Sequence, residues 1–472
     1  VLDSLLAIPK IPDLWRKVKY TLMMILVFRL AASVPSPFIN LDELKNLMTG
    51  TLGSRGILQF VNLFSGGAFE RMTVCALGIM PYITASIIIQ LLGFVVPSIE
   101  RMMKEGEAGR KKINDWTRYG TIGICMVQSV GIAVWLLHPG PDRTLSTIPH
   151  HPIFFTLFIM VALTTGTTFL MWLGEKITEN GIGNGISLII TLGIIASYPL
   201  SAGLAVTQVK SGTLAFGWVV LVIILTVAVT VLIILIQQGQ RKIPVQHAKR
   251  MVGRRMVQSQ TTYLPLKINT AGVIPVIFSG SILSFPALFF GFFQGNNPAG
   301  GGVWNWLSEL FSPGSSYNLY ALFETRTWQP GGVMLLFKSF NFYSLLYAVL
   351  TIFFCFFYTA ITFNPVDVAD NLKKYGAFIP GRRPGKPTSD FIDFVLVRIT
   401  VVGSVFLTVV ALIPQVISSA YGISYQISHV AGGTGLIIVV GVLLDTMRQI
   451  ESHLLQRHYD GFMKRGRLKG RY

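Results

Sequence analysis

Ten apolar blocks, most of them close to the length a helix needs to cross a lipid bilayer, dominate this 472-residue sequence. A hydrocarbon core about 30 Å thick takes roughly 20 helical residues at a rise of about 1.5 Å each. The blocks lie near 18–37, 72–96, 117–137, 153–173, 184–200, 215–237, 270–293, 341–363, 394–417 and 430–447. Only 13% of the chain is charged, about half the share of an ordinary soluble domain. The reading is an all-α polytopic membrane protein with about ten transmembrane helices.

Charge sets the orientation. If the N-terminus, the even-numbered connections and the C-terminus share one side, that side with its helix ends holds 31 of the 39 Lys and Arg. The positive-inside rule makes it the cytoplasm, so both termini are expected there. Ten spans also divide into two groups of five, which would have opposite orientations, as in inverted-repeat folds. No internal repeat is visible, so the topology only permits that arrangement.

Residues 56–69, GILQFVNLFSGGAF, fit neither a span nor an ordinary loop. Ile57, Leu58, Phe60, Val61, Leu63 and Phe64 form an apolar run too short to cross. Ser65, Gly66 and Gly67 then break it before the second span. Periodicity leaves two readings open, a re-entrant piece or an amphipathic helix on the outer face.

Several chemistries are missing. The seven His lie at or beyond span ends, and Cys75, Cys125 and Cys355 sit singly inside apolar segments, so neither metal spacing nor a disulfide framework is present. GKPTS at 385–389 lacks the upstream glycines of a phosphate loop, and GIGNG at 181–185 lacks dinucleotide-fingerprint spacing. Ser279 precedes Gly280 within a span but has no His at membrane depth to activate it. Every Asp and Glu lies in a loop or near a span end, which disfavours an ion-coupled pump. The one charge well inside a span is Arg29, expected to snorkel outward or to meet a loop acid. Non-enzymatic function with no cofactor is the expectation. Uncharged polar groups remain, and at about 100° per residue Ile79, Ile83 and Gln90 share one face of the second span.

The cytoplasmic connections are strongly basic. QRKIPVQHAKRMVGRRMVQSQ (240–260) carries Arg241, Lys242, Lys249, Arg250, Arg254 and Arg255, and its alternation reads as an extended hairpin. FIPGRRPGKPT (378–388) adds Arg382, Arg383 and Lys386, and KRGRLKGRY ends the chain. Such a surface suits RNA phosphates or an acidic partner protein. Plain positive-inside bias with anionic lipid reads equally from charge alone.

Long motifs now narrow the field. They are VNLFSGGAFERMTVCALGIMPYITASIIIQLL (61–92), KEGEAGRKKINDWTRYGT (104–121), MWLGEKITENGIGNGISLII (171–190), GQRKIPVQHAKR (239–250), LPLKINTAGVIPVIF (264–278), FNPVDVADNLKKYGAFIPGRRPG (363–385) and GGTGLIIVVGVLLDT (432–446). In order and spacing, over nearly the whole chain, the sequence resembles the bacterial SecY family, pore subunits of the protein-translocation channel.

The resemblance implies two inverted five-helix halves, 1–200 and 201–472, around a central hourglass pore. Spans two and three face seven and eight across a lateral gate. It makes the short segment a plug (about 57–69) and places an apolar constriction on Ile79, Ile83, Ile190, Ile277 and Ile438. A polar gate cluster falls on Thr84, Gln90 and Asn269. Cytoplasmic loops 238–269 and 364–393 would dock the motor ATPase SecA and the ribosome, with its RNA and exit-tunnel proteins, through Arg241, Lys242, Arg254, Arg255, Arg382 and Arg383. SecE and SecG, signal sequences and nascent chains, and anionic lipid are the other implied partners, in the bacterial inner membrane. Two departures are Lys242, where many relatives carry arginine, and the external segment 291–340, which is longer than usual.

Overall fold

The computed structural model describes residues 11–44, 62, 64–137, 145, 151–247, 250–252, 255–257, 261–292, 303, 307, 310, 311, 341–421 and 423–465. Most of the external segment 291–340 and the end of the basic tail lie outside these residues.

The helices are α1 (Pro12–Ala31), α2 (Met80–Val95), α3 (Pro97–Lys104), α4 (Glu107–Leu137), α5 (Pro152–Asn180), α6 (Gly185–Lys210), α7 (Phe216–Gln238), α8 (Ile274–Phe292), α9 (Phe342–Thr362), α10 (Pro365–Lys374), α11 (Lys386–Tyr421), α12 (Tyr425–Ser428) and α13 (Gly433–Arg465). Among the described residues, seven helices are long and apolar enough to cross a membrane. The bent pair α2 and α3 makes an eighth if counted as one span. The first expected span falls on α1, whose apolar character Asp13, Arg16, Lys17, Lys19 and Arg29 dilute. The seventh falls on α8, a 19-residue helix with Pro286 inside it.

Local chemistry explains the ends. Proline begins α1, α3, α5 and α10, where a missing N–H costs nothing and φ is already helical. Asn184 caps α6, its side chain accepting from the Ile186 and Ser187 amides. Pro97 drives Val96 into extended backbone (φ −104°, ψ 110°) and turns α3 away from α2 by 107°.

The second span departs from expectation, because only Met80–Val95 of the predicted 72–96 is helical. Residues 71–79 run as turns, with Gly78 in the left-handed region at φ +58°. Their backbone is partly satisfied by the chain that follows α1. The Ser36 amide donates to the Met72 carbonyl (2.9 Å) and the Val74 amide to the Val34 carbonyl (3.0 Å), which is how irregular backbone survives in an apolar setting. The fifth span also runs longer than expected, to Lys210, carrying Pro199 within the helix.

The helices share one large apolar cluster drawn from α1, α2, α5–α9, α11 and α13. Helix α13 is the most enclosed, with 83% of its apolar window buried, against 17% for α7. An apolar helix so exposed has lipid or an apolar partner as its surroundings. The three cysteines are free and buried, as small hydrophobes are.

The GIGNG turn between α5 and α6 is a junction. The Ile182 amide donates to Thr21 Oγ1 of α1 (3.1 Å) and the Gly183 amide to Gln449 Oε1 of α13 (2.9 Å). A Cβ added to Gly185 would lie 2.0 Å from the Gly174 carbonyl oxygen, so only glycine lets α5 and α6 approach this closely. Overpacking of this kind costs about 1–3 kcal/mol. Gly185→Ala is therefore expected to lower the thermal midpoint of the detergent-solubilised protein by several degrees; an unchanged midpoint would refute the close packing.

Beyond the end of α7, strands β1 (Gln240–His247), β2 (Arg250–Val252), β3 (Arg255–Val257), β4 (Thr261–Lys267) and β5 (Ala377–Phe378) form two sheets. A hairpin is present but runs beyond the expected 240–260: β1 pairs with β4, in register from Gln240↔Lys267 to Gln246↔Thr261, and the Met-Val pieces pair with each other as β2 and β3. The second basic loop is not a separate projection, because β5 pairs with the end of β1 (Gln246↔Phe378, His247↔Ala377). Ile243, Val245, Leu266, Ala377, Ile379, Ile392 and Val395 bury one face of this unit. Pro244 is exposed and lies beyond the reach of β5, where that side of β1 is an edge and a missing N–H is tolerated.

Candidate functional site

Five isoleucines from four stretches of chain belong to the large central apolar cluster. Ile79 precedes α2, Ile83 lies one turn into it, and Ile190, Ile277 and Ile438 come from α6, α8 and α13. All are buried, from 0% exposed (Ile438) to 8% (Ile277), and all belong to the central apolar cluster. Phe64 joins the same cluster at 7% exposed. The region offers branched hydrocarbon to whatever occupies it, a lining that resists ions by excluding water.

The segment before α2 folds back on itself. Ser65 Oγ donates to the Asn62 carbonyl (3.1 Å) and accepts from the Phe69 amide (3.1 Å). The Asn62 side chain accepts from the Glu70 amide (3.0 Å) and donates to its carboxylate (3.2 Å). Gly66 and Gly67 turn the chain at φ +68° and +81°, the left-handed region that favours glycine. Ile57, Phe60 and Val61 lie outside the described residues. Arg29 is exposed, and in place of a loop acid its Nη1 donates to the Gly66 carbonyl at 3.4 Å.

Across the expected gate, α2 and α4 both pack against α8. Phe94 of α2 meets Phe357 of α9 edge-on, with ring centroids 5.1 Å apart. Thr84, Gln90 and Asn269 are each satisfied locally. Thr84 donates to the Met80 carbonyl (3.1 Å), Gln90 to Ser86 Oγ (3.0 Å) and Asn269 to the Gly272 carbonyl (2.9 Å). Ser86 and Gln90 are one helical turn apart, a pairing readable from spacing.

Between α4 and α5, Arg118 grips Glu175 through two parallel bonds of 2.9 and 2.7 Å, a contact the sequence reading missed. Its residues stand in two of the long motifs, but nothing in their spacing pairs them. Of the basic loops, Arg241, Lys242, Arg382 and Arg383 are exposed, and β3 begins at Arg255, while Arg254 lies outside the described residues. The Arg382 guanidinium sits 5.0 Å from the centre of the Phe391 ring. The Arg383 carbonyl accepts from Thr388 Oγ1 (2.8 Å), fixing the backbone beneath an exposed side chain.

A multi-pass helical bundle around a large apolar core, with a small sheet bearing exposed basic residues, defines a membrane protein of the protein-conducting-channel fold. Its structure is similar to one solved as a protein conducting channel (TM-score 0.61, 19% identity, 93% of this chain and 92% of that one). It is also similar to Sec61 in the canine ribosome–channel complex from the endoplasmic reticulum (TM-score 0.59, 17% identity, 93% and 92%). In sequence it is 44% identical over 458 residues to the protein translocase subunit SecY of Escherichia coli (strain K12), covering 97% of this chain and 96% of that one. The SecY family model matches residues 73–447. The chain belongs to the SecY family, a family of translocase subunits and not of enzymes.

Proposed function

We propose that this chain is the central subunit of a protein-conducting channel that passes unfolded secretory polypeptides across the bacterial inner membrane. Its observational support is that Ile79, Ile83, Ile190, Ile277 and Ile438 are all buried in one apolar cluster to which Phe64 also belongs. The isoleucines are the pore ring and 57–69 is the plug, in which Ile57, Phe60 and Val61 continue the surface that Phe64 begins. Flexible hydrocarbon can fit around an extended chain of any sequence, offering it little specific adhesion while excluding ions.

The halves 1–200 and 201–472 part at a lateral gate between α2 with α4 and α8 with α9. Hydrophobic segments leave there because lipid suits them better than the conduit, and a signal sequence favours the open gate by binding it better than the closed one. Thr84, Gln90 and Asn269 are its polar residues. Local bonds satisfy each of them in this closed arrangement, so opening strands no buried polar group. Energy comes from SecA or the translating ribosome, docked on Arg241, Lys242, Arg254, Arg255, Arg382 and Arg383. SecE and SecG are the small membrane partners, and the exposed α7 suits such a helix or lipid. Both termini are cytoplasmic, on the side of the basic sheet and its anionic lipid.

Cysteines placed at Ile83 and Ile277 test the reading. A secretory precursor stalled in transit is expected to cross-link to both, and the absence of adducts from an otherwise engaged precursor would remove the conduit from this position.

A further inference from the structure

The glycines of the turn before α2 do more than bend it. A Cβ on Gly66 would lie 2.9 Å from the Gly193 Cα, and a Cβ on Gly193 would lie 2.9 Å from the Phe64 carbonyl oxygen. Backbone therefore rests directly on backbone, with no side chain between. Gly193 is buried on α6, three residues beyond Ile190, so the contact sits on the same helix face one turn from the ring. On the other side of this turn stands Arg29, donating to the Gly66 carbonyl. A cation in an apolar span needs a reason to stay, and a carbonyl in a left-handed turn needs a donor.

We infer that Gly193 and Arg29 are positioning residues that form the seat of the plug, Gly193 by admitting its backbone and Arg29 by holding the Gly66 carbonyl. The inference rests on reading 57–69 as the plug. The seat acts on the closed–open equilibrium alone. A side chain at 193 displaces the turn, and loss of the guanidinium releases one of its bonds, so either change raises the unseated fraction. A tenfold rise in that fraction corresponds to about 1.4 kcal/mol. A protein whose unseated fraction is already raised needs less from a signal sequence to open.

The test uses the purified translocase complex in lipid vesicles, comparing Gly193→Ala, Arg29→Leu, Arg29→Lys and a deletion of 57–67. Resting halide permeability is expected to rise about tenfold for Gly193→Ala and several-fold for Arg29→Leu, in proportion to the unseated fraction. Arg29→Lys is expected to restore most of the wild-type value. Transport of a precursor with a weakened signal is expected to rise in the leaky variants, where mere structural damage would lower it. Gly193→Ala in the deletion background is expected to add nothing. Wild-type permeability for both Gly193→Ala and Arg29→Leu, with a leaky deletion, overturns the seat and keeps the plug. A deletion that leaks no more than wild type overturns the plug reading itself. Should Gly193→Ala fail to assemble, Arg29→Leu, which removes an exposed group, carries the decision alone.

Discussion

A channel with Ile79, Ile83, Ile190, Ile277 and Ile438 all replaced by glycine is expected to leak ions at rest, with conductance raised at least tenfold. An ion crosses a narrow apolar waist only by shedding or dragging its water, and buried branched side chains leave room for neither. Glycine removes the hydrocarbon, admits water and lowers the barrier. Each 1.36 kcal/mol of barrier lost is about tenfold in rate, so a modest change in hydration is readily seen. Stability responds differently. Large-to-small changes in a soluble core cost about 2–5 kcal/mol each, yet lipid is as apolar as isoleucine, so only packing is lost here. Conductance of single channels in planar bilayers, with assembly checked by co-purification of the membrane partners, gives the answer. If the five residues were only a packed core, yield would fall while conductance stayed at the wild-type level, and that result would reject the ring.

Much of this architecture was readable from length and charge, because bilayer thickness imposes a fixed ruler on every apolar block. The ruler misled where the backbone departs from helix. Residues 71–79 are apolar enough to extend the second span, but Gly78 and the bonds to Val34 and Ser36 hold them as turns. The expected end of the second span at 96 agrees with α2, but the 107° bend between α2 and α3 was not read from the sequence. A hairpin was visible in the alternation of 240–260, though its partner strand lies just beyond at 261–267, whereas the pairing of β1 with β5 joins residues more than a hundred positions apart and left no local trace. Arg29 is the sharpest case. Sequence flagged it as a charge within a span, expected to snorkel or to meet a loop acid, but gave no sign that a carbonyl would be its partner. Gly193 left no signal, since a glycine in an apolar helix reads the same whether or not another backbone rests on it. The proposed isoleucine ring and gate residues came only through resemblance, because one apolar helix face does not say what it encloses.

Arg383→Glu is expected to slow motor-driven export about tenfold, while insertion of a membrane protein by the translating ribosome changes much less. The reasoning starts from what holds each arginine of the tip. Arg382 lies over the Phe391 ring, an attraction worth about 0.5–1 kcal/mol at an exposed site, so part of its role is internal. Arg383 is exposed, and the turn beneath it is fixed through its carbonyl by Thr388, a bond that does not depend on the side chain. Exposed substitutions of this kind usually change stability by less than about 0.5 kcal/mol, so a loss of export would come from the partner side. Reversing one charge against an acidic surface replaces an attraction with a repulsion and slows encounter, and added salt weakens both effects. The defect is therefore expected to shrink as ionic strength rises, whereas a misfolded tip would fail at every salt concentration. A ribosome that touches the sheet at several cations loses only one of many contacts, which is why insertion is spared. ATP-driven import into reconstituted vesicles, run beside ribosome-coupled insertion over a salt series, separates these outcomes. Equal export by the two proteins at low salt would show that the motor does not read this arginine.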